Sequence, residues 1–196
     1  MSRSRVLHFY TTLLERHGHT LQGLGWPDAE DQQYRFRLLL AHIEQEGTLL
    51  DWGCGFGDLS VHWPGEYIGY DWHPQMRSIA RRRYPRARIV DRPEPADWVV
   101  ACGVFNLRAG EKFTRPTLRE MWALCRRGIA FNMLSAKCSH RHRTYLYHDP
   151  DAMLAFCRRA MSPHADLYED ARLDEFIIVV RRIAPAGWLT DHEPGA

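Results

Sequence analysis

The chain has 196 residues, 45% hydrophobic and 26% charged, with a formal charge of +2. That balance describes one ordinary globular domain with a substantial core. So small a charge excludes a nucleic-acid track as the expected partner, and no apolar run nears the roughly 18 residues that span a membrane.

The elements follow in chain order. Val6, Leu7, Phe9, Tyr10, Leu13 and Leu14 recur at helical spacing and predict a helix over 4–17, stopped at Gly18. Asp28, with Asp31 three residues on, predicts a capped helix over 29–45 that ends at Gly47. Strands are then expected over 49–52, 67–71, 87–91, 97–103 and 128–134. Helical stretches fall at 59–62, 74–83, 117–125 and 151–161, with Asp149 or Asp151 as cap for the last. Pro93 and Pro95 leave little room for a helix between the third and fourth strands. A strand pair over 165–168 and 176–181 closes the pattern, and 184–196 reads as a loose Pro/Gly-rich tail. Alternation of strand and helix implies an α/β, Rossmann-like, doubly wound sheet that is mostly parallel. The last two strands have no helix between them, so at least one is expected to run antiparallel.

The chemistry concentrates in Leu49-Leu50-Asp51-Trp52-Gly53-Cys54-Gly55-Phe56-Gly57-Asp58. A strand ends on an acid, and three alternating glycines open the next segment. Dinucleotide loops carry G-x-G-x-x-G, whose third glycine lets helix and strand close around a pyrophosphate. Asp58 stands in that place here, and a carboxylate at a helix start suits the dipole but repels phosphate. The loop therefore favours an adenosyl ligand without phosphates. Asp51, Asp71 and Asp91 each end a predicted strand at 20-residue intervals. In an open parallel sheet such ends face one crevice. Asp71 is placed to accept from both ribose hydroxyls, Trp72 to lie on adenine, Asp91 to accept from the adenine amino group, and Asp51 to orient the turn or hold an ammonium through water.

On these motifs residues 48–134 resemble the core of the class I S-adenosylmethionine-dependent methyltransferases. The apolar-apolar-Asp/Glu-x-Gly-x-Gly-x-Gly motif matches Leu49 to Gly57 without a gap, Asp71 matches the acid ending strand two, and Asp97 to Asn106 matches the strand-four motif. Asp91 matches the strand-three acid, although Arg92-Pro93 follows it. The resemblance implies a seven-stranded sheet of order 3-2-1-4-5-7-6 with strand seven antiparallel. It implies S-adenosyl-L-methionine as cofactor, held by Asp51, Gly53, Cys54, Gly55, Asp71, Trp72, Asp91, Arg92, Cys102 and Gly103. The ligand's amino group would fall on the backbone of 101–103. Residues 1–46 would then be a helical extension or lid, 47–183 the cofactor-binding domain and 184–196 the tail.

The implied reaction is methyl transfer by in-line displacement to a small-molecule acceptor. Alternatives that keep the same pocket are aminocarboxypropyl transfer, cyclisation with release of methylthioadenosine, or binding without catalysis. Acceptor-side candidates are Tyr10, Trp26, Phe105 and Tyr145, with Arg35 and Gln32 able to reach the methionine carboxylate. Asn106 is placed to touch the acceptor, and Tyr147 and His148, in the polar stretch 135–150, are candidates to orient or deprotonate it. No Asn/Asp-Pro-Pro-aromatic run follows strand four, which argues against DNA adenine as acceptor. Cys138, His140 and His142 match no common zinc spacing, so a polar loop is expected rather than a metal site. The five cysteines, odd in number and scattered, are expected to be reduced thiols in the cytoplasm. A monomer or homodimer without a membrane partner is expected.

Overall fold

A computed structural model of the chain describes residues 3–108, 111–170 and 172–183. Two helices, α1 (Arg3–His17) and α2 (Ala29–Leu40), precede β1 (Thr48–Trp52) and β2 (Glu66–Tyr70). Then come α3 (Pro74–Arg83), β3 (Arg88–Val90), β4 (Ala96–Ala101), α4 (Glu111–Leu124), β5 (Cys125–Leu134), α5 (Pro150–Ala160), β6 (Ala165–Glu169) and β7 (Glu175–Arg181). The seven strands form one sheet of order β3-β2-β1-β4-β5-β7-β6. All neighbouring pairs are parallel except that β7 runs antiparallel to both β5 and β6. The expected order and the reversed seventh strand are both present. The expected tail, 184–196, lies outside the described residues.

Period-two alternation in β1 puts Leu50 and Trp52 on one face and Leu49 on the other. The first face packs on α4 and α5 through Leu118, Met121, Met153 and Phe156. The second packs on α2 and α3 through Phe36, Leu39, Leu40 and Ala80. Strand order reverses between β1 and β4, and the carboxyl ends of those strands open a crevice there, as expected of doubly wound sheets.

Three boundaries depart from the sequence pattern for identifiable reasons. Helix α2 stops at Leu40, five residues early. The His42 carbonyl accepts from Arg181 Nη2 (2.6 Å) and its ring stacks on Tyr168 at 3.8 Å, which draws the backbone off the helical path. Helix α4 starts at Glu111, six residues early, and carries Pro116 inside it at the cost of the hydrogen bond to the Lys112 carbonyl. Strand β5 begins at Cys125 directly after α4, with no loop between them. Asp28 caps α2 by accepting from the Asp31 N–H (2.8 Å), and Asp149 caps α5. No helix among the described residues is long and apolar enough to cross a membrane.

Candidate functional site

The glycine turn is built at the carboxyl end of β1. The N–H groups of Gly53 and Cys54 both donate to the Tyr70 carbonyl (2.7 and 3.0 Å), which ties the turn to the end of β2. Gly53 sits at φ +80°, and a Cβ there would come 2.6 Å from Val104. Glycine is therefore required twice over, by the backbone and by the close approach of the segment after β4. Asp71 lies one residue beyond β2. Its Oδ2 accepts from the Gly55 N–H (3.0 Å) and its Oδ1 from the His73 N–H (2.7 Å). Each oxygen keeps a second lone pair, so the carboxylate shapes the turn and can still receive two hydroxyls.

A cavity open to solvent runs from this turn to α1 and to the start of α4. Of the sequence-expected residues it is lined by Asp51, Gly53, Cys54, Gly55, Asp71, Trp72, Cys102, Gly103, Tyr10, Trp26, Gln32 and Phe105. Asp51 is 3% exposed and accepts from the Tyr67 hydroxyl at 2.7 Å. Burial pushes its carboxyl up to about 7, against that hydrogen bond, and the neighbouring Asp71 and Asp58 push the same way. Burial likewise pushes Asp71 up to about 6, opposed by the His73 and Gly55 N–H groups and then by Arg77 and Arg3. Burial also raises the Tyr10 phenol, helped by Asp71, and raises the Cys54 and Cys102 thiols well above their usual range. None of these three is a ready base or nucleophile.

Seven expected site residues fall outside this lining. Asp91 is turned to the surface, its side chain 69% exposed, because Arg81 and Arg77 of α3 take its carboxylate (both 2.9 Å) and hold it below the usual range. Arg92 beside it is exposed. Asn106 spends its side-chain oxygen on the Leu134 N–H (3.1 Å), which fastens the segment after β4 to the end of β5. The Tyr147 hydroxyl accepts from the His142 N–H (2.9 Å). His148 is mostly buried and donates from Nε2 to the Phe105 carbonyl (3.2 Å), while burial lowers its imidazole's proton affinity. Tyr145 pairs with Leu107 and tilts its half-exposed ring on His142. These four shape the loop behind the cavity wall. Arg35 faces Glu175 and Asp31 instead of the cavity, and Gln32 of the same helix lines it.

Arg35 belongs to a closed ring of contacts. The Gly103 N–H donates to Asn132 Oδ1 (2.7 Å), Asn132 Nδ2 donates to Glu175 Oε2 (2.5 Å), and Arg35 Nε donates to Glu175 Oε1 (2.8 Å). The Arg35 guanidinium lies over the Trp26 ring at 5.4 Å, and Trp26 abuts Gly103, where a Cβ would come within 3.3 Å of the indole. Asn132 and Glu175 are 2% and 7% exposed. The sequence pattern passes over both, since Asn132 sits inside an apolar strand and Glu175 stands at the start of one. A buried polar residue in such a strand was the available signal.

Sequence reasoning also missed Val6, Leu7, Leu107 and Thr114, which line the cavity. Thr114, 3% exposed, has a hydroxyl without a hydrogen-bond partner. His73 Nε2 meets the Thr11 hydroxyl at 3.0 Å. That hydroxyl gives its proton to the Leu7 carbonyl (2.9 Å), so Nε2 carries the imidazole proton and Nδ1, unpartnered, keeps its lone pair. All five cysteines are thiols. Among the described residues no group of three His, Cys, Asp or Glu is arranged to hold a metal.

No family model matches the sequence, and no curated protein matches it. Solved structures match its backbone. A SAM-dependent methyltransferase of Thermotoga maritima aligns with a TM-score of 0.58 at 11% identity, covering 76% of this chain and 89% of that one. A second, from Clostridium acetobutylicum, gives 0.57 at 9% identity over 91% and 98%. A TehB-like SAM-dependent methyltransferase of Corynebacterium glutamicum gives 0.53 at 20% identity over 75% and 85%. The chain has the fold of the class I S-adenosylmethionine-dependent methyltransferases. In the class I sheet the reversed seventh strand is the distinguishing element, and here that strand also carries Glu175, which anchors the Gly103–Arg35 ring.

Proposed function

We propose that this chain is an S-adenosylmethionine-dependent methyltransferase that acts on a small molecule. The observation that carries the reading is Asp71, whose Oδ2 braces the glycine turn, whose Oδ1 takes the His73 N–H, and which lines the cavity at the point where strand order reverses. The residues present fit the cofactor. A carboxylate with one spare lone pair on each oxygen suits a ribose diol, and Trp72 offers a flat face for adenine. Asp51 and Asp71 supply negative charge for a ligand that carries an ammonium and a sulfonium. Gln32, 4% exposed, has an amide with only one long contact, to Asp58 at 3.3 Å, and so can turn an N–H to the methionine carboxylate.

When bound, the cofactor supplies an electrophilic methyl group on a positively charged sulfur. The chain's task is then to position and desolvate: the turn and Asp71 orient the adenosyl group, α1 and Trp26 exclude water, and the remaining cavity wall aligns the acceptor. Isothermal titration with S-adenosylhomocysteine tests the reading. Binding is expected for the unaltered chain, and Asp71→Ala is expected to weaken it a hundredfold or more, about the effect of two hydrogen bonds to a charged group at roughly 1.5–3 kcal/mol each. Because Asp71 also braces the turn, circular dichroism of the variant must show a folded chain. Undiminished binding by a folded Asp71→Ala variant refutes the ribose assignment.

A further inference from the structure

The cavity is lopsided in charge. Its ionisable lining is Asp51, Asp71, His73, Tyr10 and two thiols, and among the described residues no lysine or arginine lines it. Every lysine and arginine of the sequence lies among the described residues. Three guanidinium groups stand beside it but are engaged elsewhere: Arg3 over the Trp72 ring at 4.9 Å, Arg77 on Asp91 and the Asp71 carbonyl, and Arg35, which lies over the Trp26 ring, on Glu175 and Asp31. The lining away from the glycine turn is apolar, with Val6 and Leu7 from α1, Phe105 and Leu107 from the segment after β4, and Phe113 from α4. In that wall one polar group is unsatisfied, the Thr114 hydroxyl.

An acceptor entering this compartment leaves water. A carboxylate or phosphate there would be buried without a lysine or arginine, and the cofactor's own positive charges are already offset by Asp51 and Asp71, so burying it would cost several kcal/mol. An apolar body gains by burial against the same wall. Displacement on a sulfonium also needs a lone pair, which a protonated amine lacks. Resting on the methyltransferase reading, we infer that the acceptor is an uncharged, largely apolar small molecule that attacks through a neutral lone pair and hydrogen-bonds to Thr114. Its lone pair forms the bond to the methyl carbon as the carbon–sulfur bond breaks, and the electron pair of that bond stays on sulfur. Positive charge thus passes from sulfur to the acceptor, and no proton has to leave beforehand. An acceptor that carries an N–H releases its proton afterwards.

The test is ligand binding to the S-adenosylhomocysteine-loaded chain, followed by calorimetry. Isoquinoline, an apolar ring with a nitrogen lone pair and uncharged at neutral pH, is compared with isoquinoline-3-carboxylate, which keeps the ring and adds an anion. Isoquinoline is expected to bind at least tenfold more tightly. Thr114→Val, which removes the hydroxyl at nearly constant shape, is expected to weaken isoquinoline binding several-fold while leaving affinity for S-adenosylhomocysteine and the melting temperature no lower. Equal or tighter binding of the carboxylate overturns the inference, as does binding of neither probe to a chain that holds S-adenosylhomocysteine. Unchanged isoquinoline affinity in Thr114→Val overturns the assignment of Thr114. Failure of S-adenosylhomocysteine itself to bind is a different result, and refutes the underlying cofactor reading.

Discussion

Asp51 and Asp71 show how one side chain carries both a cost and a use. Burial holds their carboxyls at about 7 and about 6. A carboxyl raised in the folded state binds its proton more tightly there than in the unfolded chain. The fold is therefore favoured at acid pH, and that contribution is lost as pH climbs through the raised values. A cationic ligand reverses the preference, because its ammonium stabilises the ionised form. Affinity for S-adenosylhomocysteine is expected to rise as pH passes through about 6 and about 7 and to level off above, with protons released on binding. Calorimetry in buffers of different ionisation enthalpy reads that release, and a pH-independent affinity would contradict it. Asp51→Asn is expected to raise the melting temperature at pH above 7, since the amide can still accept from Tyr67, and to weaken cofactor binding. Asp51 and Asp71 were legible in the sequence because each stands at or next to the carboxyl end of a strand that the apolar pattern marks. Asn106, Tyr147 and His148 also look available in sequence, but their partners are the Leu134 N–H, the His142 N–H and the Phe105 carbonyl, groups that only folding brings to them.

At the scale of elements, the Gly103–Asn132–Glu175–Arg35–Trp26 ring joins the segment after β4, strands β5 and β7, and the N-terminal extension. Glutamate is specifically required in it, since two acceptor oxygens serve two donors, and glutamine has only one. Glu175→Gln leaves either Arg35 Nε or Asn132 Nδ2 without its acceptor, and is expected to cost about 1–3 kcal/mol of stability. It is also expected to weaken S-adenosylhomocysteine binding, because Trp26 and Gly103 both lose their brace. Urea unfolding and titration calorimetry read the two effects separately. Lost stability with unchanged affinity would mean that the ring supports the fold alone. The pattern of strands was readable because alternation and glycine punctuation are local signals. The early start of α4 was not, because Pro116 suppresses the helical pattern in the turn that carries Phe113 and Thr114 to the cavity.

For the whole molecule, the cavity sits where three separately encoded parts meet: the glycine turn, the segment after β4, and helix α1. Leu14 is the only fully buried residue of α1 among those described, packed with Phe56, Met76 and Ile79, while Val6, Leu7 and Tyr10 face the cavity. A helix whose inner side borders open space gains little packing energy, so α1 is expected at the low-stability end of the fold. S-adenosylhomocysteine at a hundredfold over its Kd contributes about 2.7 kcal/mol, or a rise of roughly 5–10 °C in melting temperature for a chain of this size. Hydrogen exchange is expected to show the largest ligand-induced protection in α1, and equal protection along the sheet would contradict a lid.

The ring has a consequence in time. Arg35 and Glu175 are 140 residues apart, and β7 must insert between β5 and β6 before the two can meet. During synthesis the glycine turn, Asp71 and the N-terminal helices all leave the ribosome long before the residue that braces Trp26 and Gly103. A nascent chain stopped short of Glu175 holds every feature that marks the cofactor loop in sequence, yet leaves Arg35 and Asn132 without the carboxylate they share. Completion of that brace is thereby tied to arrival of the seventh strand.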